Sequence, residues 1–184
     1  SAFTDALLSA LETTADAITS PPAITGMVIM EDVTVPMNFW VIGRQHPGES
    51  MASWWMEGFL ARLLDGADAV SRRLLELVTV HVVPNMNPDG SQRGYLRVNA
   101  AGKNLNREWC NPTIESSPEV YFCQQAISLT GIDFLLDVHS EEELEYVFLS
   151  KTPLGIPSIN DTQVRLYNKY CEALKRAEKN CANV

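Results

Sequence analysis

The chain has 184 residues, 46% of them hydrophobic and 20% charged, the profile of one ordinary globular domain with enough chain to bury a core. Its 23 acidic and 14 basic residues give a formal net charge of −9, and no Lys/Arg run occurs, so neither nucleic acid nor an anionic membrane surface is an expected partner. No apolar stretch reaches the ~20 residues that a membrane-spanning helix needs.

From the N-terminus, Phe3, Leu7, Leu8, Leu11 and Ala15 fall on one helical stripe, which Ser20-Pro21-Pro22 stops. Asp5, Glu12 and Asp16 break up that stripe, so it lacks the unbroken apolar core of an export signal, and a cytoplasmic location is expected. Short β-branched and aromatic runs around Met27–Met30 and Phe39–Ile42 read as strands. Residues 49–64 read as a long helix whose Met51, Trp54, Trp55, Phe59, Leu63 and Leu64 form a broad buried face. Residues 77–83 read as a fully buried strand containing His81, a core or edge histidine. The stretch 84–118, rich in Asn, Pro, Gly and Arg, shows no period, and a loop of that length in a compact domain is usually functional. Within it, Asn85 and Asn87 are expected to shape a turn without touching substrate. A helix over 118–129 opens at Ser117, with Glu119 in its first turn. A buried strand over 132–138, a further strand over 145–149 and a closing helix over 162–179 complete the chain. The acidic run Glu141-Glu142-Glu143 with Glu145 reads as solvated. Cys110, Cys123, Cys171 and Cys181 include no Cys-x-x-Cys pair and are expected as reduced thiols.

Alternating strands and helices predict an α/β fold with a mainly parallel mixed sheet flanked by helices. In such sheets ligands gather beyond the carboxyl ends of the strands. Three polar clusters fall there: 46–49, 85–90 and 139–142. His46 and Glu49 stand three apart on a turn entering a helix, a spacing that lets both side chains aim at one point. His139, behind Asp137, could add a third donor to a two-His, one-Glu set of the kind catalytic zinc uses.

The ordered succession Gln45-His46-Pro47-Gly48-Glu49, Pro84-Asn85-Met86-Asn87-Pro88-Asp89-Gly90, Arg97, Asn104-Leu105-Asn106-Arg107-Glu108-Trp109 and Asp137-Val138-His139 resembles the zinc carboxypeptidase family, in particular its cytosolic and bacterial cytosolic-like branch. The resemblance runs from about Met37 to about Phe148. It implies one zinc ion per chain held by His46, Glu49 and His139. It also implies a catalytic Arg97 that polarises the scissile carbonyl and stabilises its oxyanion, and Asn106 and Arg107 as the pair that grips the free C-terminal carboxylate of a peptide or protein substrate. An arginine fork suits that task, since it meets both oxygens of a carboxylate with parallel charge-assisted bonds.

Two departures accompany the resemblance. The family's general-base glutamate and a mobile tyrosine lie well beyond the third ligand, and no strand after Phe148 carries such a glutamate, so residues 1–184 are expected to form a partial zinc carboxypeptidase-like catalytic domain. Asn104 stands where many relatives have aspartate; its amide oxygen can accept the same ligand-histidine bond without the charge, which is expected to lower metal affinity. The activity implied is a zinc-dependent metallocarboxypeptidase. The alternatives are a zinc-dependent deacylase of N-acyl amino acids and a non-catalytic relative that binds zinc and C-terminal tails.

Overall fold

The computed structural model describes residues 36–141, 143, 147–149, 160–177 and 181–183. The helix expected near the N-terminus and the strand around Met27–Met30 lie outside them. The described chain falls into two compact units, one of residues 37–60 and 78–142, the other drawn from residues 61–77 and 143–184.

The first unit is built on a parallel sheet of β1 (Met37–Gly43), β2 (Val78–Val83) and β3 (Phe134–Val138), in the spatial order β2-β1-β3. Gly43 pairs with Val138 and Ile42 with Val83, so all three strands deliver their carboxyl ends to the same edge. The expected α/β fold with a parallel sheet is therefore what the chain adopts. β1, central and composed of Met-Asn-Phe-Trp-Val-Ile-Gly, is buried on both faces apart from Asn38, as a continuous apolar run in a parallel sheet should be.

Side chains alternate across that strand. On one face Trp40 and Ile42 meet Val120 and Cys123 of α4 (Pro118–Thr130), together with Met86 and Leu105. Gly43 points to the other face, where Met56 of α1 (Met51–Leu63) lies 3.1 Å from the position a β-carbon would take. Helices thus flank both faces of β1.

Several expectations need correction. α1 buries Ala52, Met56, Phe59 and Leu63, whereas Trp54, expected in the core, is 73% exposed, and Met51 and Leu64 are exposed as well. Apolar spacing marks a helix but a row this broad leaves its inward direction open. β2 and β3 are only partly buried after Val78, and Leu135 is exposed, because both flank β1 at the margins of the described sheet. The stretch 84–118 is not one loop: it holds α3 (Pro88–Arg93) and a 3-10 turn at Leu105–Arg107. Both begin on asparagine caps, Asn87 accepting from the Gly90 amide and Asn104 from the Asn106 amide, so side-chain capping substitutes for the missing apolar period. Ser117 makes no side-chain cap bond at α4, although Glu119 does stand in its first turn.

The second unit contains α2 (Ala69–Leu77), an element absent from the sequence reading, α5 (Asp161–Ala177), and a parallel pair of β4 (Val147–Leu149) and β5 (Cys181–Asn183). Its α2 is tied by Asp68, which accepts from Arg62 and from the Ser71 amide. No described helix is long and apolar enough to cross a membrane.

Candidate functional site

At the end of β1 the backbone turns sharply. Arg44 takes a positive φ of 58°, an uncommon conformation for a residue with a side chain. Its guanidinium braces the turn, donating to the Pro47 carbonyl at 3.0 Å and to Ser53 Oγ at 3.1 Å. The turn sends Gln45 and His46 inward, both buried, and leads through Gly48 to Glu49. Gly48 is seated against the segment before Arg97: its amide donates to the Leu96 carbonyl at 2.8 Å, and a β-carbon there would stand 2.9 Å from that oxygen.

His46, Glu49 and His139 converge. Their donor atoms all lie within 4.8 Å of one another. Glu49 Oε1 is 2.6 Å from His46 Nδ1, and its Oε2 is 2.9 Å from His139 Nδ1 and accepts the Ser140 amide at 3.1 Å. Behind each ring stands an acceptor. His46 Nε2 is 3.0 Å from Asn104 Oδ1, an oxygen already accepting the Asn106 amide, and His139 Nε2 is 3.0 Å from Asp137 Oδ2. An acceptor at Nε2 places the ring proton there and leaves the Nδ1 lone pair facing Glu49. Two imidazole lone pairs and a carboxylate in contact require a cation among them.

Without a metal that cation is a proton. Burial opposes charge on His139, but hydrogen bonds and charge from Asp137 and Glu49 outweigh it and push its pKa up to about 9. Burial likewise works to raise the Glu49 pKa, and the bonds from His139, His46 and Ser140 overcome it, holding the carboxyl below its usual value. Two imidazoles and one carboxylate, each imidazole backed by an acceptor on its other nitrogen, is the donor set and surrounding shell that suit zinc.

The remaining candidates are tied to this centre through the backbone. Asn104 Oδ1 caps the 3-10 turn that carries Asn106 and Arg107, so one oxygen fastens both His46 and that turn. Asn106 is half-buried and Arg107 exposed, its Nη1 on the Asn106 carbonyl at 3.0 Å. Arg97 is exposed and makes no side-chain hydrogen bond among the described residues; it is attached to the His46–Glu49 turn through the bond from Gly48 to Leu96. His81 sits where a core or edge histidine should, its Nε2 2.9 Å from Asn38 Oδ1 and its ring stacked on Trp40 at 4.6 Å. Asn85 and Asn87 shape the turn at the end of β2: Asn85 Oδ1 accepts the Asn87 amide, and Asn87 Nδ2 reaches the Gln45 carbonyl.

Sequence reasoning assigned no part to Gln45 and treated Asp137 only as the neighbour of a ligand. In the fold Gln45 Nε2 donates to Asp137 Oδ2 at 2.6 Å and its Oε1 accepts from Trp109 Nε1 at 2.8 Å. The only signal in the sequence was a polar residue beside His46 at the end of an apolar strand.

Comparison with known proteins gives this geometry its relatives. The family model for zinc carboxypeptidase matches residues 17–180. A metallo-carboxypeptidase from Burkholderia cenocepacia superposes with a TM-score of 0.78 at 44% identity, covering 85% of this chain and 42% of that one. A Pseudomonas aeruginosa metallo-carboxypeptidase, solved in complex with (2-guanidinoethylmercapto)succinic acid, has a TM-score of 0.60 at 49% identity, covering 64% of this chain and 32% of that one. Human cytosolic carboxypeptidase 4 is 35% identical over 115 residues, 59% of this chain and 10% of the human protein. The chain thus spans less than half the length of each of these relatives. With the family model covering most of its length and the fold shared at over 40% identity, the chain belongs to the zinc carboxypeptidase family, alongside bacterial metallo-carboxypeptidases and cytosolic carboxypeptidases.

Proposed function

We propose that residues 1–184 carry the zinc-binding and C-terminus-binding part of a metallocarboxypeptidase that hydrolyses the last peptide bond of a peptide or protein. The observation that carries this reading is the convergence of His46, Glu49 and His139, with donor atoms within 4.8 Å of one another, both Nδ1 atoms against the Glu49 carboxylate and both Nε2 atoms engaged from behind. His46, Glu49 and His139 would hold zinc, which when bound supplies Lewis acidity and an acidified water at neutral pH.

The chain's own groups supply recognition. Arg107 and Asn106 would grip the terminal carboxylate, a group that an internal peptide bond lacks. Arg97 would donate to the scissile carbonyl oxygen, where negative charge develops; losing one such donor typically costs ~3–4 kcal/mol of transition-state stabilisation. The compound bound by the Pseudomonas aeruginosa relative is a succinic acid derivative, so that protein accepts a carboxylate-bearing ligand.

The test is a binding and hydrolysis panel on the zinc-loaded chain: a peptide with a free C-terminus, the same peptide amidated, and an N-acyl amino acid. The free acid should bind at least tenfold more tightly than the amide, and Arg107→Ala should erase that difference. Equal binding of acid and amide would refute carboxylate recognition. Selective turnover of the N-acyl amino acid would reassign the site to deacylation, whereas selective binding of the free acid without turnover is what this part of the enzyme alone predicts.

A further inference from the structure

Gln45 is fully buried, with 0% of its surface exposed, and a buried amide is costly unless its polar groups are paired. Its pairing fixes its orientation. The Trp109 indole Nε1 can only donate, so the atom 2.8 Å from it must be the amide oxygen. The amide nitrogen therefore faces Asp137 and donates to Oδ2 at 2.6 Å. That same Oδ2 accepts from His139 Nε2 at 3.0 Å, while Asp137 Oδ1 is buried with no hydrogen-bond partner. A carboxylate with one oxygen doubly bonded and the other buried and unpaired has reason to rotate, and its terminal torsion is soft. The bond from Gln45 opposes that rotation.

We propose that Gln45 is a positioning residue for the metal centre: its amide holds the Asp137 carboxylate in the orientation that turns Nδ1 of His139 towards Glu49. Through Trp109, two positions beyond Arg107, it also links the set of that ring to the turn bearing Asn106 and Arg107. The proposal rests on the reading of His46, Glu49 and His139 as zinc ligands. It differs from the contribution of Asn104, which acts on the other histidine. Its reach is long in sequence: Gln45 joins partners 64 and 92 positions away.

The experiment measures the zinc dissociation constant of the chain by competition with a chromophoric chelator, alongside a thermal melt. Gln45→Glu preserves shape and the acceptor for Trp109 but sets a second carboxylate against Asp137; it should weaken zinc about ten- to a hundredfold, the range for losing a group that orients a ligand. Trp109→Phe removes the donor that fixes the amide and should weaken zinc several-fold. Leu74→Ala, a cavity at a fully buried residue of α2 in the other compact unit, should lower the melting temperature and leave the zinc constant unchanged. Gln45→Glu binding zinc within twofold of wild type overturns the proposal, as does an unchanged constant in Trp109→Phe should Gln45→Glu fail to fold. A wild-type chain that takes up no zinc overturns the ligand reading itself, and this proposal with it.

Discussion

A carboxylate pressed between the Nδ1 atoms of two histidines is unfavourable without a positive charge among them, and Asn104 and Asp137 make the arrangement deliberate by occupying both Nε2 positions. Asn104 supplies a neutral acceptor to His46. If His46 holds zinc as proposed, Asn104→Asp should tighten zinc binding several-fold, because a charged acceptor makes the imidazole more basic; unchanged or weaker binding in a competition titration would contradict that assignment. The cysteines offer an independent check on packing. Burial foremost, then the nearby Asp137 charge, pushes the Cys123 thiol up to about 11, whereas Cys110 is exposed. Because the fold holds the Cys123 proton more tightly than the unfolded chain does, its contribution to stability should fall as pH rises from about 9 through about 11. At pH 8 an alkylating reagent should modify Cys110 well before Cys123, and mass spectrometry of the labelled peptides reads the order directly.

At the scale of elements, the site depends on how turns are fastened rather than on any single helix. The segment before Arg97 rests on Gly48, where a β-carbon would come within 2.7 Å of the Leu96 side chain and 2.9 Å of its carbonyl. Gly48→Ala should cost about 1–3 kcal/mol by overpacking, read as a lower melting temperature. A melting temperature equal to wild type would show that the Leu96 contact yields freely. The strands and helices around these turns were largely legible: β1, α1, β2, α4, β3 and α5 all follow apolar runs or helical stripes that burial imposes on sequence. Trp54 was misplaced because a stripe that includes tryptophan on two adjacent positions does not say which one turns inward. α3 and the 3-10 turn at Leu105–Arg107 escaped notice because asparagine side chains, not periodic apolar residues, hold them.

Across the whole molecule, parallel strands bring His46, Met86 and His139 to one edge of the sheet although nearly a hundred positions separate the two histidines. The motifs themselves could be read from the sequence, since a His-x-x-Glu turn and a strand ending in Asp-x-His carry their donors within a few residues. The strand order β2-β1-β3 and the Asp137–Gln45–Trp109 chain could not, because both are made by contacts distant in sequence. The chain shares its family with bacterial metallo-carboxypeptidases and cytosolic carboxypeptidases. The central claim is that His46, Glu49 and His139 hold one zinc ion, and the most direct measurement is metal content per chain after zinc loading and removal of excess. The account predicts about one zinc per wild-type chain, and none retained by folded His46→Ala or His139→Ala. Zinc retained in full by either variant, or absent from the folded wild-type chain, would contradict it.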